Sequence, residues 1–107
     1  MTRQAKSASE KRNTRSEYIF RLYITGASPN SLRAISNTRS ICDQCFTRNY
    51  DLEIIDVYKE PLLAAEENII ALPLLIRKFP LPEKRWIGDM SDQGRVLQSI
   101  RLENPDS

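Results

Sequence analysis

Histidine is absent from all 107 residues of the sequence. Without an imidazole, the chain lacks the commonest general base, the usual partner of serine and cysteine nucleophiles, and a frequent zinc ligand. Its two cysteines alone make a poor zinc site. The carboxylates of Asp56, Glu60, Glu66 and Glu67 show no convergent partner and suit solvent-facing positions. These absences exclude most hydrolase mechanisms, so we predict no catalytic residue, no metal and no cofactor.

Long apolar runs are also missing. No segment approaches the roughly 20 apolar residues that a transmembrane helix needs, and the first residues lack the apolar core of a secretory signal. We therefore expect a cytoplasmic protein with no membrane partner. The charges of the two signs nearly balance, because 16 Lys and Arg stand against 14 Asp and Glu and give a formal net charge of +2. A field this weak does not by itself indicate a nucleic-acid partner.

The length of 107 residues gives room for one domain with one hydrophobic core. The first 16 residues stand apart, since they hold five basic residues against a single acidic one, Glu10. They contain no aromatic residue, so they predict a flexible basic extension that cannot stack on bases, and no nucleic acid is expected as a partner. We assign residues 1–16 to this extension, residues 17–103 to the domain and residues 104–107 to a short tail.

The first half of the domain predicts a strand that leads into a helix. Residues 18–24 form a short run of aromatic and β-branched side chains, which is typical of a buried strand. Gly26 can turn the chain, Ser28 suits an N-cap, and Pro29 suits the first helical position. The helix is expected to reach about Phe46. Its predicted apolar stripe comprises Leu32, Ile35, Cys42, Cys45 and Phe46.

The rest of the chain predicts a second strand, a short helix, a hairpin and a last helix. The first four segments are residues 51–57, 62–70, 72–79 and 85–88, and the last helix is capped by Ser91 and ended by Pro105. In that helix Val96, Leu97 and Ile100 are expected to face the sheet. The order β-α-β-α-β-β-α requires one parallel crossover and one hairpin. The predicted fold class is therefore α/β, as a single-domain thioredoxin-like fold.

Four motifs carry a resemblance to a known family. They are residues 22–31 (LYITGASPNS), 55–61 (IDVYKEP), 71–75 (ALPLL) and 85–89 (RWIGD). Across residues 18–102 the chain resembles the KaiB family of circadian clock proteins. The resemblance implies a non-catalytic protein that docks on KaiC, a hexameric P-loop ATPase, and modulates its phosphorylation state. It also implies two folds, a monomeric thioredoxin-like state and an oligomeric ground state, a dimer or tetramer, with the order β-α-β-β-α-α-β.

The resemblance also suggests partner-binding residues. Arg33, Arg77, Lys84 and Arg85 match basic family positions implicated in KaiC contact or in the oligomer interface. A basic surface suits an acidic partner and raises the association rate more than the affinity. The same side chains would equally suit a solvated charged surface, and the sequence leaves that alternative open.

Several positions depart from the family pattern. Glu53 stands where clock members carry a basic residue used to capture KaiA, which argues against KaiA recruitment. The basic extension and the short tail also differ from the acidic-tailed clock proteins, so a KaiB-type protein in stress adaptation is credible. Ser99 and Arg101 replace a typical Gly and Asp, and both changes favour a helix at the end of the chain. We therefore expect the thioredoxin-like state to be favoured.

Two further expectations concern the regions around the prolines, one on exposed side chains and one on a peptide-bond isomer. Leu81 and Trp86, close to Pro80 and Pro82, are expected to be exposed and to favour self-association. Pro73 occupies the position where thioredoxin-like folds often place a cis-proline, but the sequence leaves the isomer of that bond open.

The enzyme-class alternative is a thiol-disulfide oxidoreductase that uses the C-x-x-C pair Cys42 and Cys45. In redox members this pair lies at the N-terminus of the first helix, where the dipole lowers the thiol pKa. Here residues 27–30 occupy that position, and the cysteines follow later in the helix. We predict instead that Cys42 packs in the core and that Cys45 is partly covered. A sensing domain related to that of a KaiC-responsive histidine kinase is a further alternative.

Overall fold

The computed structural model describes residues 17–46 and 49–103, with side chains described as far as residue 100. The predicted extension, residues 1–16, and the predicted tail, residues 104–107, lie outside the described residues. Within the described residues, seven elements follow one another in the predicted order: β1 Tyr18–Ile24, α1 Pro29–Phe46, β2 Tyr50–Asp56, α2 Pro61–Glu66, β3 Leu74–Phe79, β4 Lys84–Ile87 and α3 Gln93–Glu103. The predicted α/β class and its element order are confirmed.

The strands form one four-stranded sheet in the order β2-β1-β3-β4. β1 runs parallel to β2, with Tyr18 opposite Tyr50 and Ile24 opposite Asp56. β3 runs antiparallel to β1, and β4 runs antiparallel to β3, so the last two strands form the predicted hairpin. α1 supplies the crossover that two parallel neighbours require.

The sheet has a large core on one face and a small core on the other, because alternate residues of a strand point to opposite faces. On the α1 and α3 side, Phe20, Leu22 and Leu75 are fully buried. They pack with Ala34, Ile41, Cys42, Val96 and Ile100 of the two helices. On the α2 side, the buried residues are Tyr23, Ile55, Leu74 and Ile76, partly covered by Val57, Leu63, Ile69 and Leu72.

α1 has the predicted bounds but a different buried stripe. Leu32, predicted to face the core, is 55% exposed, whereas Ser31, Ala34, Thr38 and Ile41 are buried. Ser31 tolerates burial because its hydroxyl accepts a hydrogen bond from Thr25 N–H at 3.1 Å and donates one to Thr25 O at 3.2 Å. This link orients the helix so that small side chains meet the sheet. The prediction for Leu32 was wrong, whereas those for Cys42 and Phe46 are confirmed.

α2 is shorter than predicted. It ends at Glu66 rather than near residue 70, and none of its residues is buried. Asn68 adopts a φ of 54°, in the left-handed region that a continuing helix does not visit. Leu62, which lies in the predicted helical range, is 79% exposed. The spacing of apolar residues signalled a helix here, but it could not signal the backbone reversal that stops it.

α3 begins one residue later than its predicted cap implied. Asp92, not Ser91, caps the helix, because its Oδ1 accepts a hydrogen bond from Arg95 N–H at 3.3 Å. Ser91 instead donates its N–H to Asp89 Oδ1 at 3.0 Å. Val96 and Ile100 are buried on the sheet side, as predicted.

The β3–β4 hairpin corrects one exposure prediction and confirms another. Trp86, predicted to be exposed, packs partly buried against the large core. Its Nε1 donates a hydrogen bond to Ser99 Oγ at 3.0 Å, so the ring is held on α3. Leu81 is 72% exposed, as predicted. The Leu72-Pro73 peptide bond, whose isomer the sequence left open, is cis, as are the bonds before Pro80 and Pro82.

Candidate functional site

The two cysteines lie where α1 ends, far along the helix from its N-terminus. Cys42 is fully buried and Cys45 is partly buried, as predicted, and neither forms a disulfide. Burial raises the pKa of the Cys42 thiol to about 12, and nearby Cys45 and Asp43 add to this shift. A thiol with a raised pKa is a poor nucleophile and a poor leaving group. The geometry therefore opposes the oxidoreductase alternative.

The described residues form neither a metal site nor a membrane-spanning helix. Within residues 17–46 and 49–103, no three potential ligands among Cys, Asp and Glu come together as a metal site. None of the described helices is long and apolar enough to cross a bilayer.

The four predicted partner-binding residues do not converge. Arg33 lies exposed on α1, and its Nε donates to Asp89 Oδ2 at 3.0 Å. Arg77 and Lys84 lie opposite each other on β3 and β4. Arg77 is only 1% exposed, and its Nη2 donates to Pro82 O at 2.7 Å, so it holds the hairpin turn from inside. Arg85 faces the other side of the sheet, towards Glu67.

A charged cluster that the sequence did not reveal lies on the α2 face of the sheet. We call it the Glu67 cluster, and it comprises Arg21, Glu53, Glu67, Lys78 and Arg85. Glu67 Oε2 lies 2.8 Å from Lys78 Nζ and 3.8 Å from Arg21 Nη1, and Oε1 lies 3.1 Å from Arg85 Nη2. Arg85 Nη2 also donates to Glu67 O at 2.7 Å. The cluster therefore fastens the chain just after α2 onto three strands.

The cluster also decides the charge state of its central carboxyl. Burial alone would raise the pKa of Glu67. The hydrogen bond and charge of Lys78, with the charges of Arg85 and Arg21, outweigh burial and hold the pKa below its usual value of 4.5. Glu53, the residue that departs from the family pattern, pairs with Arg21 at 3.1 Å. The alternation of strand residues places Arg21 and Tyr23 on one face, but no sequence signal linked them to Glu67.

The segment around α2 exposes three large apolar side chains. Tyr58 is 76% exposed, Leu62 is 79% exposed and Ile70 is 94% exposed. We call these three residues the α2 surface. Single exposed apolar residues are ordinary, whereas a contiguous exposed apolar patch marks an interaction surface, so these three positions are candidates for one. The sequence predicted a helix over residues 62–70 but did not indicate which of its side chains are exposed, so this surface was not predicted.

Comparison with known sequences identifies the relatives of this chain. Residues 21–102 match the KaiB domain. The circadian clock oscillator protein KaiB of Prochlorococcus marinus (strain NATL2A) is 44% identical over 90 residues, which cover 84% of each chain. KaiB of Synechococcus sp. (strain RCC307) is 46% identical over 88 residues, which cover 82% of this chain and 80% of the relative.

Comparison with solved structures confirms the fold. The N-terminal domain of Synechococcus elongatus SasA superposes with a TM-score of 0.70 at 18% identity, covering 86% of this chain and 87% of that one. The thioredoxin Deadhead of Drosophila melanogaster superposes with a TM-score of 0.67 at 11% identity, covering 89% of both chains. The predicted thioredoxin-like fold is thus confirmed. From the sequence match over residues 21–102, the chain belongs to the KaiB family.

Proposed function

We propose that this protein is a KaiB-type regulator that docks on a KaiC-like hexameric ATPase and modulates its phosphorylation state. The observation that carries the proposal is the identity of 44% with a clock oscillator protein over 90 residues. Buried Cys42, with its raised thiol pKa, supports a binding role rather than redox catalysis. The same domain would serve a KaiC-like partner in circadian timing or in stress adaptation.

The α2 surface is the proposed centre of docking. Its three apolar side chains are presented to solvent, and covering them would contribute roughly 25 cal/mol per Å² of buried apolar area. The Glu67 cluster fixes the chain between Leu62 and Ile70 to the sheet. A segment that is already ordered loses less conformational entropy when it binds.

Basic residues would assist this docking. Arg33 and Arg85 have side chains that are 57% and 39% exposed, and Lys84 is partly buried, so an acidic partner can reach them. Buried Arg77 would contribute through the shape of the hairpin instead. Since Glu53 is paired with Arg21, recruitment of a KaiA-type protein is not part of the proposal. Self-association as a dimer or tetramer remains a proposal, and exposed Leu81 supports it.

The experiment mixes the full chain with the KaiC homologue of its own organism, with ATP and separately with ADP. Size-exclusion chromatography with light scattering measures whether the two co-migrate, and a phosphate-affinity gel follows phosphorylation of the ATPase. We expect a complex in at least one nucleotide condition and a change in the rate of phosphorylation or dephosphorylation. Failure to co-migrate in every condition would remove the partner assignment while leaving the fold intact.

A further inference from the structure

A cavity opens beside the α2 surface, at the end of the sheet where β1 and β2 finish. Its volume is about 540 Å³, and its lining includes Ile24, Ile54, Asp56 and Glu60. Apolar and acidic residues thus line the same cavity. This combination suits the side chain of lysine or arginine, whose aliphatic stem packs on apolar groups while its charged end meets a carboxylate.

The carboxylates around this cavity are available to a basic partner. Asp56, Glu60 and Glu66 make no ion pair within the described residues. Asp56 Oδ1 accepts a hydrogen bond from Tyr58 N–H at 2.9 Å, which leaves its negative charge in place. Lys59 also lines the cavity and offsets part of the acidic charge. We call the three carboxylates the acidic rim, and they outnumber the single ammonium group.

The cations of the Glu67 cluster do not cancel the acidic rim, because other carboxylates already oppose them. The ion pairs are Arg21–Glu53, Lys78–Glu67, Lys78–Glu83 and Arg85–Glu67. Three cations are thus matched by three carboxylates that do not belong to the rim. Along the chain, Asp56 and Glu60 flank exposed Tyr58. An occupant that covers the α2 surface should therefore carry positive charge.

Residues 1–16 provide such an occupant within the same chain. They hold five basic residues and one acidic residue, Glu10. They lead directly into β1, whose seven residues place its far end, beside the cavity, about 20 Å away. Sixteen residues of chain reach up to about 53 Å, so the extension is long enough to span the strand. A segment joined to its site by a short linker has an effective concentration on the order of millimolar, which allows a weak contact to form.

We infer that the basic extension, residues 1–16, docks on the α2 surface of its own chain and places a lysine or arginine side chain in the cavity. The contact pairs basic side chains with the acidic rim and covers Tyr58, Leu62 and Ile70. Because the charges involved are near the surface, the contact weakens as the salt concentration rises. It also competes with a partner at the α2 surface, a consequence that rests on the proposed docking on the ATPase.

The first experiment records NMR spectra of three ¹⁵N-labelled full chains at low and at high salt. One is the wild type. The second, the basic-residue variant, carries Arg3→Gln, Lys6→Gln, Lys11→Gln, Arg12→Gln and Arg15→Gln. The third, a matched control that keeps every charge, carries Thr2→Gln, Ser7→Gln, Ser9→Gln, Asn13→Gln and Thr14→Gln.

At low salt, we expect the amide signals of Tyr58, Glu60 and Leu62 to differ between the wild type and the basic-residue variant. The difference should vanish at high salt, and the control should match the wild type. The signals of Leu32 and Ser36, exposed on α1, should be the same in all three proteins. Identical α2 signals in the three proteins at low salt would overturn the inference.

The second experiment locates the contact on the folded domain. A synthetic peptide with the sequence of residues 1–16 is titrated into the basic-residue variant, whose own extension no longer competes. Adding Glu60→Gln, which removes a carboxylate at the cavity and no side-chain cap bond of α2, should weaken peptide binding about threefold. Glu17→Gln, an exposed carboxylate before the start of β1, should not change it. Equal effects of the two substitutions contradict the inference.

Protein concentration distinguishes a contact within one chain from a contact between copies. Within one chain, the signal differences should stay constant over a roughly tenfold range of concentration, and sedimentation velocity should show the same species for the wild type and the basic-residue variant. If the differences disappear on dilution while the wild type alone self-associates, the extension docks on a second copy and the inference is wrong.

The KaiC homologue separates this inference from the proposed function. The basic-residue variant should bind it at least about threefold more tightly than the wild type, because covering a site lowers its apparent affinity by the covered fraction. Weaker binding of the variant would contradict the competition. If neither protein binds, the proposed function fails, and the amide signals of the chain alone still decide whether the extension docks.

Discussion

Glu67 is the residue on which the α2 face depends most. Its side chain is 10% exposed, and its carboxylate lies among Lys78, Arg85 and Arg21. Removing one charged partner of a buried ion pair leaves the remaining charges uncompensated. This lowers the free energy of unfolding more than the loss of a surface ion pair does. Its neighbour Glu66 is exposed. The two adjacent glutamates therefore form a natural pair of test and control.

Glu67→Gln should lower the free energy of unfolding by about 2 kcal/mol, because three cations then face a neutral amide. Glu66→Gln should change it by less than about 0.5 kcal/mol. Urea unfolding at neutral pH, followed by circular dichroism, measures both. Equal losses in the two variants would mean that the Glu67 cluster contributes nothing specific.

The pH dependence of stability follows from the lowered pKa of Glu67. A carboxyl with a lower pKa in the folded state stabilises the protein above its unfolded pKa, and this contribution is lost as pH falls through the folded pKa. We therefore expect wild-type stability to fall as the pH drops below 4.5, the ordinary value of a glutamate. When both proteins are unfolded in urea at a series of acidic pH values, the free energy of unfolding should decrease less steeply with falling pH for Glu67→Gln than for the wild type. Parallel declines would contradict this.

For Cys42 we expect the opposite pH dependence, a loss of stability at alkaline pH. Its thiol pKa is raised from 9.0 to about 12 by burial, so the folded state keeps its proton longer than the unfolded chain. The stabilising contribution is complete below pH 9.0 and is lost as pH rises towards about 12. Stability of the wild type should fall in that range more steeply than that of Cys42→Ala.

Alkylation separates the two thiols directly. At neutral pH, iodoacetamide should modify partly buried Cys45 well before Cys42, and unfolding in urea should make both react. Mass spectrometry of peptides gives the extent at each site. Rapid reaction of native Cys42, or a disulfide formed readily with mild oxidant, would restore the oxidoreductase alternative.

At the scale of elements, the start of α1 was predictable because its signals are local. Ser28 Oγ accepts a hydrogen bond from Ser31 N–H at 3.1 Å, as an N-cap should. Ser28→Ala should therefore destabilise the protein by about 1 kcal/mol. Ser36→Ala, at an exposed position of the same helix, should be neutral or slightly stabilising, since alanine is the better helix former. Thermal unfolding of both variants decides whether the cap contributes.

Variants of Ser99 test the expectation that this residue favours the helical arrangement of α3. Ser99→Gly removes the acceptor for Trp86 Nε1 and lowers helix propensity, so it should cost about 1 to 2 kcal/mol. Ser99→Ala removes only the acceptor and should cost less. NMR chemical shifts of residues 95–102 measure the backbone state. Extended shifts in the wild type would contradict the helix observed for α3.

Elements whose limits depend on distant contacts were predicted less well. The length of α2 is set by the reversal at Asn68 and by the ion pairs of Glu67, whose three partners lie in strands β1, β3 and β4. The stripe of α1 is set by the bond between Ser31 and Thr25. Helical spacing alone could not locate either feature. Leu32 was consequently assigned to the apolar stripe of the helix although it is 55% exposed.

At the scale of the molecule, the unequal cores on the two faces of the sheet matter most. Among the described residues, two helices cover one face, whereas the short helix α2 and a small apolar cluster lie on the other. Docking on an ATPase through the α2 surface should therefore be lost in Leu62→Glu combined with Ile70→Glu. Leu32→Glu, on the opposite side of the sheet, should leave docking intact. Co-migration with the KaiC homologue measures this, and loss in both variants would place the interface elsewhere.

The sequence by itself determined the class of the fold, the order of its elements and the family. These depend on alternation, helical spacing, caps and long motifs, which are local properties of the chain. Only the tertiary structure decided that Glu67 is bound by three cations, that Arg77 is internal, and that the Trp86 ring packs on α3. Such features arise where residues far apart in the chain meet, and their energies come from burial and charge in the assembled molecule.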